Sequence, residues 1–254
     1  MTFSHHIIYV MHVLFEIKQF IISAFRALYT FIDGGCECTV CSRLTFLAPV
    51  CRACMNQYFS VGKIMSAERC SCCGKELVSE KNMCMKCRTE PVLKSTDSVL
   101  PLFSYRLWNK ELMFRWKMQG ERNFSPVFAK LLSEVLKARG ESLIVPVPPR
   151  KGKIRKNGWD QIEELCIFLE KRYGFKVLRI LERNSREQQK KLKRTERLES
   201  IKNSYSLKSG VEVPEHVCLI DDVCTTGATI ESCAEILKKG GVKTVSAVTL
   251  FTVD

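Results

Sequence analysis

The chain has 254 residues, 46% of them hydrophobic, and forty basic against twenty-seven acidic side chains give it a formal charge of +13. That length holds one large or two modest domains, and the charge favours polyanionic partners: phosphorylated metabolites, nucleic acid or an anionic membrane. Ten of its fourteen cysteines fall between Cys36 and Cys87, mostly as C-x-x-C pairs, which argues against a disulfide framework and for metal binding in a reducing compartment such as the cytoplasm.

Residues 1–35 predict an amphipathic helix. His12, Glu16, Gln19, Ser23, Arg26, Thr30 and Asp33 recur at intervals of 4, 3, 4, 3, 4 and 3, one narrow polar stripe that Gly34-Gly35 would end. Ile7–Phe15 is uncharged but shorter than the roughly 18 residues of a spanning helix. A signal peptide is not expected, because no Lys or Arg precedes the apolar run and no small-residue cleavage site follows. The helix is expected to pack on the rest of the protein or on a second copy, with peripheral membrane contact the lesser reading.

Residues 36–90 carry four pairs: Cys38/Cys41, Cys51/Cys54, Cys70/Cys73 and Cys84/Cys87. Two sulfurs three residues apart can take one edge of a tetrahedral Zn²⁺, and a second pair closes the site. The gap from Cys41 to Cys51 matches that from Cys73 to Cys84 within one residue. Two ribbons using consecutive pairs are therefore expected, with a crossed arrangement the alternative. One or two structural zinc ions would supply the folding energy, roughly 10–16 kcal/mol each. Four thiolates leave no open position for catalysis. Gly74 follows the third pair, where a tight knuckle tolerates positive φ.

From about Pro91 the composition changes, and residues 91–254 read as one α/β domain. Ser98–Tyr105 predicts a strand, Lys110–Met118 and Pro126–Lys137 helices, and Lys117 lies in an aromatic and basic cluster. Ser142–Val147 is a second buried strand, running into Pro148-Pro149. Arg150, Lys151, Lys153, Arg155 and Lys156 follow, and a strand end before a basic loop is where a diphosphate could be gripped. Gly158-Trp159-Asp160-Gln161 then opens a helix, and Phe175–Leu181 predicts a strand. No confident strand is expected in residues 183–209, where the stretch from Asn184 to Lys208 has a net charge of +5; a loop that long is functional or disordered.

Val217-Cys218-Leu219-Ile220 is a buried strand, and Asp221-Asp222 stand where it is expected to stop. Thr225-Thr226-Gly227-Ala228-Thr229 lead into an amphipathic helix, and Val242–Phe251 makes a last strand. Orphan N–H groups and the helix dipole make that turn a phosphate cradle. Two carboxylates beside it suit vicinal sugar hydroxyls, or a Mg²⁺ bridging sugar and diphosphate.

This stretch resembles the PRPP-binding motif of type I phosphoribosyltransferases: two acidic residues, two apolar ones, then Thr-Thr-Gly-x-Thr. Pro-Val-Pro, the basic loop and Gly-Trp-Asp-Gln, together with the cysteine pairs, resemble the ComF family of competence-associated, phosphoribosyltransferase-like proteins. Trp159 and Asp160 depart from that family's Gly-Phe-Asn-Gln. The resemblance implies a three-layer, mostly parallel α/β sheet of type I phosphoribosyltransferase kind, preceded by a helix and zinc ribbons. It makes Asp221 and Asp222 the catalytic pair that holds the ribose 2′- and 3′-hydroxyls, and Thr225, Thr226, Gly227, Ala228 and Thr229 the 5′-phosphate site. Arg150, Lys151, Lys153 and Arg155 would take the diphosphate. Gln189, Leu192, Glu196 and Arg197 fall at positions of a basic flexible loop, with Tyr205 at an aromatic position. Such a lid suits a ribosyl oxocarbenium ion, which water would otherwise hydrolyse. A cover for the acceptor site is expected from the N-terminal half, with the zinc module as the candidate hood. The implied function is Mg²⁺-dependent PRPP binding and transfer of the phosphoribosyl group to an acceptor, in DNA uptake, with a competence helicase-type protein as partner. The other class of reading is a non-catalytic PRPP or nucleotide sensor that holds single-stranded DNA, with Tyr105, Trp108, Trp116 and Trp159 stacking bases.

Overall fold

The computed structural model describes residues 17, 20, 21, 24, 25, 36–45, 48–91, 93–149, 159–184 and 204–253. A central sheet of five strands has the order β3 (Ser98–Ser104), β9 (Thr244–Thr252), β8 (His216–Cys224), β4 (Leu143–Pro146), β5 (Lys176–Val177), and every pairing is parallel. Parallel strands need crossovers, and helices provide them. α4 (Leu107–Lys117) and α5 (Phe124–Ala138) join β3 to β4, α6 (Gln161–Tyr173) joins β4 to β5, and α7 (Ala228–Lys239) joins β8 to β9.

The strands are apolar on both faces, so the sheet must be covered twice. Cys218 and Ile220 pack with α4, α5 and α6, whereas Val217 and Leu219 pack with α7. The result is the expected three-layer α/β fold. Pro101 lies in β3, at the edge of the sheet, where a missing ladder N–H costs least.

Three details differ from the sequence reading. β8 does not stop at the acidic pair but runs on to Cys224, because β9 keeps pairing with it as far as Cys224 opposite Thr252. Phe175–Leu181 is not one strand: Lys176–Val177 joins the main sheet, while β6 (Leu181–Arg183) turns away to pair with β7 (Tyr205–Leu207). Arg179, held by Glu163 and Glu170 of α6, stands between the two. Residues 183–209 thus do contain a strand, short and recognisable only from its partner.

The N-terminal part holds β1 (Cys36–Glu37), β2 (Leu44–Thr45), α1 (Arg52–Tyr58), α2 (Val61–Ser66) and α3 (Met85–Thr89). Phe59 packs against Phe103 and Trp108, and Cys38, Cys54 and Ile64 belong to the same hydrophobic cluster as α4–α6. The second ribbon has its own small cluster of Cys70, Leu77, Cys84 and Cys87. It docks on the free edge of β3, where Arg69 donates to the Pro101 carbonyl at 2.8 Å. Gly74 makes the close approach: a Cβ there would lie 2.0 Å from the Val99 carbonyl oxygen. An otherwise exposed strand edge is thereby covered.

Ile17, Phe20, Ile21, Ala24 and Phe25 are helical. Phe20 and Phe25 are each 74% exposed, so the other described residues do not cover them. Among the described residues no helix is long and apolar enough to cross a membrane.

Candidate ligand cleft and tetracysteine centres

The cysteines form two groups, Cys38/Cys41/Cys51/Cys54 and Cys70/Cys73/Cys84/Cys87, with all sulfurs of a group within 4.8 Å of one another. The consecutive pairing is the one adopted. A tetrahedral zinc with Zn–S near 2.3 Å sets its sulfurs about 3.8 Å apart. Cys41 and Cys51 lie at 3.7 Å, and Cys73 and Cys84 at 3.8 Å. The donor set and spacing therefore fit zinc.

The two centres repeat each other in backbone detail. Cys51 N–H donates to Cys38 Sγ, and Cys84 N–H to Cys70 Sγ, both at 3.3 Å. Ser42 N–H donates to Cys38 O and Gly74 N–H to Cys70 O, and both residues have positive φ, 57° and 70°. Burial pushes the Cys38 thiol up, but N–H donors from Cys51, Cys41 and Val40 outweigh it and bring the group down to about 6. The same balance brings Cys70 to about 7. Each centre thus offers one thiol that ionises near neutrality, the form that binds metal.

The acidic pair lies at the carboxyl end of β8, inside the ladder, so its members point to opposite faces. Asp222, 8% exposed, faces the α4–α6 layer, where Lys117 Nζ lies 2.5 Å from its Oδ2. Asp221 turns the other way, and its Oδ1 accepts the Asp222 N–H at 2.8 Å. Crowding by protein atoms, together with the neighbouring Asp222 charge, pushes the Asp221 carboxyl up to about 8 against the pull of the Asp222 N–H and Lys117. One edge of it still opens to solvent.

Both acids line a cleft of about 360 Å³ with Thr225, Thr229, Lys117, Arg183 and Tyr205. Tyr205 is buried and hydrogen-bonded to Thr229, and Arg183 lies 5.1 Å from its ring centroid. β6 and β7 thus fix a wall of the cleft. Gly227 caps α7 at φ 80°, and Thr226 Oγ1 accepts the Ala228 N–H at 3.3 Å, so one N–H group of the helix start already has a partner. Thr225, Thr226 and Gly227 also border a second cavity of about 270 Å³, walled by Cys72, Met85 and Leu93 of the second ribbon and its exit. The second ribbon is therefore the part of the cysteine module that stands against the turn.

Arg150, Lys151, Lys153, Arg155, Gln189 and Arg197 lie outside the described residues. Asp160 and Gln161 are placed clearly. Asp160 caps α6 by accepting the Glu163 N–H at 2.9 Å, a task for which Asn and Asp are equally good. The departure from Asn at this position is thereby explained. Gln161 is fully buried and donates Nε2 to the Lys117 carbonyl at 3.3 Å.

Of the aromatics expected to stack bases, Trp116 is withdrawn from the surface, while Tyr105, Trp108 and Trp159 are half-buried. Trp116 is fully buried, with Nε1 donating to Ser125 at 2.9 Å. Trp108 packs on Phe59 and Phe103, and Trp159 lies under the Arg122 guanidinium at 5.4 Å. The sequence showed aromatic residues near basic ones but not that the core takes Trp116. Arg183 was missed; its only signal is that it borders the basic loop.

No protein-family model matches the chain. It is 31% identical over 201 residues to Competence protein ComFC of Streptococcus pneumoniae, covering 79% of this chain and 86% of that protein. It is 28% identical over 214 residues to Competence protein ComFC of Bacillus subtilis, covering 80% and 83%. Competence protein F of Haemophilus influenzae is 28% identical over 208 residues, covering 77% and 87%.

Proposed function

Because the chain belongs to the ComF family of competence proteins, we propose that it serves DNA uptake by binding PRPP with Mg²⁺ and transferring the phosphoribosyl group to an acceptor. The observation that supports this reading is that two carboxylates and Thr225 and Thr229 of the turn before and into α7 line one cleft at the carboxyl ends of parallel strands. A ribose 5-phosphate spans those two features. Its hydroxyls donate to Asp221 and Asp222, and its phosphate meets the N–H groups at the start of α7. The two carboxylates suit the waters of a Mg²⁺ carried by the diphosphate, whose charge that ion would partly neutralise.

In the transfer step the C1–O bond to the diphosphate breaks and the diphosphate leaves with the electron pair. A lone pair on the acceptor forms the new bond to C1, and the acceptor's proton passes to solvent. The chain's contribution is electrostatic, through carboxylates facing the developing positive charge on the ribose and cations facing the departing anion. Release of diphosphate from PRPP, assayed against a set of nucleobase acceptors, tests the reading. Acceptor-dependent release by the wild type that is lost in Asp222→Asn is expected; release that Asp222→Asn leaves intact contradicts it.

A second reading, binding of single-stranded DNA, is favoured by the +13 charge. It predicts affinity that falls linearly in log–log with salt, with a slope of about −0.7 per phosphate neutralised. Salt-independent binding, or none, removes it.

A further inference from the structure

Lys117 ends α4 and reaches across the cleft to Asp222. Its position is braced rather than adventitious. The residue before it, Trp116, is fully buried and hydrogen-bonded to Ser125. Its own carbonyl accepts from Gln161, also fully buried, at the first position of α6. Asp160 caps that helix. The Asp-Gln end of the Gly-Trp-Asp-Gln motif therefore does two things: it starts α6 and ties down the end of α4 that carries the lysine. Asp160 lines the same cleft as the acidic residues, and Lys117, which Gln161 holds, is ion-paired to one of them.

The ion pair has a consequence for any sugar that enters. A vicinal hydroxyl that donates to Asp222 Oδ2 competes with the ammonium that the ion pair places there, whereas one that donates to Oδ1 does not. The lysine side chain is 28% exposed, so an ammonium separated from its carboxylate there is only partly compensated by water. A ligand with a diphosphate at C1 brings a new anion into the same cleft. A ligand with a free C1 hydroxyl does not.

We propose that Lys117 is the residue that makes this cleft select a sugar phosphate bearing a C1 diphosphate over the same sugar without it, by exchanging its Asp222 partner for the diphosphate. This rests on the PRPP reading of the cleft and assigns a determinant of specificity within it. Gln161 is a positioning residue that acts through Lys117.

The test is calorimetric titration of PRPP and of ribose 5-phosphate, each with Mg²⁺, into wild type, Lys117→Met, Lys117→Arg and Gln161→Ala. Loss of one charge-assisted contact corresponds to about tenfold or more in Kd. The ratio of the two Kd values should shrink by about that factor in Lys117→Met. PRPP should bind it more weakly, and ribose 5-phosphate no more weakly than it binds wild type. Lys117→Arg should restore most of the ratio, and Gln161→Ala should lie between. A ratio unchanged in Lys117→Met, or both ligands weakened equally, overturns the proposal and leaves PRPP binding standing. Wild type that binds neither ligand removes the PRPP reading itself, and this inference with it. Retained ribose 5-phosphate binding by Lys117→Met also reports that the variant is folded, and Lys117→Arg keeps the test decisive if the methionine variant is not.

Discussion

Asp221 is a carboxyl group that folding makes harder to ionise, and its stability effect has a definite sign. In the unfolded chain it ionises near pH 4; in the folded protein, burial and the Asp222 charge raise it to about 8. Below about pH 4 it is protonated in both states and has no effect. Between those values the unfolded chain loses the proton and the folded protein keeps it, so stability falls as pH rises. Asp221→Asn removes this liability while still accepting the Asp222 N–H. Its melting temperature should match wild type near pH 4.5 and exceed it by several degrees at pH 8. A difference that does not grow with pH contradicts the raised carboxyl. The same residue explains why ligand binding matters to the cleft, since donors or cations arriving there favour the ionised form.

The two ribbons and the edge strand β3 carry the next predictions. Elemental analysis should find two zinc ions per chain, and Cys41→Ser and Cys87→Ser should each lose one while keeping the other, because the groups are separate. A single ion in wild type contradicts two closed centres. Gly74 is where the second ribbon meets β3. Its positive φ alone costs an alanine about 1–2 kcal/mol, and a Cβ 2.0 Å from the Val99 carbonyl adds to that. Gly140 is the control: its φ is 72°, but nothing lies within 4 Å of an added Cβ. Gly74→Ala should therefore destabilise the protein in urea clearly more than Gly140→Ala, and equal losses would deny the docking.

What the sequence made legible at this scale was whatever is local. Cysteine spacing, the Asp-Asp…Thr-Thr-Gly turn and the long helices all write their geometry into consecutive residues. What it hid was contact between distant segments. Lys117 could be seen as basic, but its pairing with Asp222 depends on α4 crossing the end of β8. Gln161 was visible as part of a motif, yet its partner is a backbone carbonyl on another helix. β6 and β7 have three residues each, too few for a period, and exist through each other. Trp116 stood among the aromatics that could stack bases because basic residues lie near it in sequence, whereas packing against Phe128 decides its place.

On the scale of the whole molecule, the parts converge on one edge. The carboxyl ends of β4, β8 and β9, the start of α7, the β6–β7 ribbon and the second tetracysteine centre all border the cleft or the cavity beside it. The first ribbon, by contrast, shares the hydrophobic cluster of α4–α6 and braces the layer that carries Lys117. Arg115 extends that link, donating to Thr39 of the first ribbon at 2.7 Å and pairing with Glu121. Metal loss at the first centre should consequently loosen α4 as well as the ribbon. Chelation should speed hydrogen exchange of the α4 amides, and unchanged exchange there would argue that the ribbon is an appendage.

The most direct test of the account is the thermal stability of the zinc-replete protein with and without PRPP and Mg²⁺, beside Asp221→Ala and Asp222→Ala. A ligand that binds only the folded state stabilises it by about 2.7 kcal/mol at one hundred times its Kd. For a chain of this size that is a rise of roughly 5–11 °C. The account predicts that rise in wild type and its loss in both variants. No rise at saturating PRPP, or the same rise in the variants, would contradict a ribose site at the acidic pair.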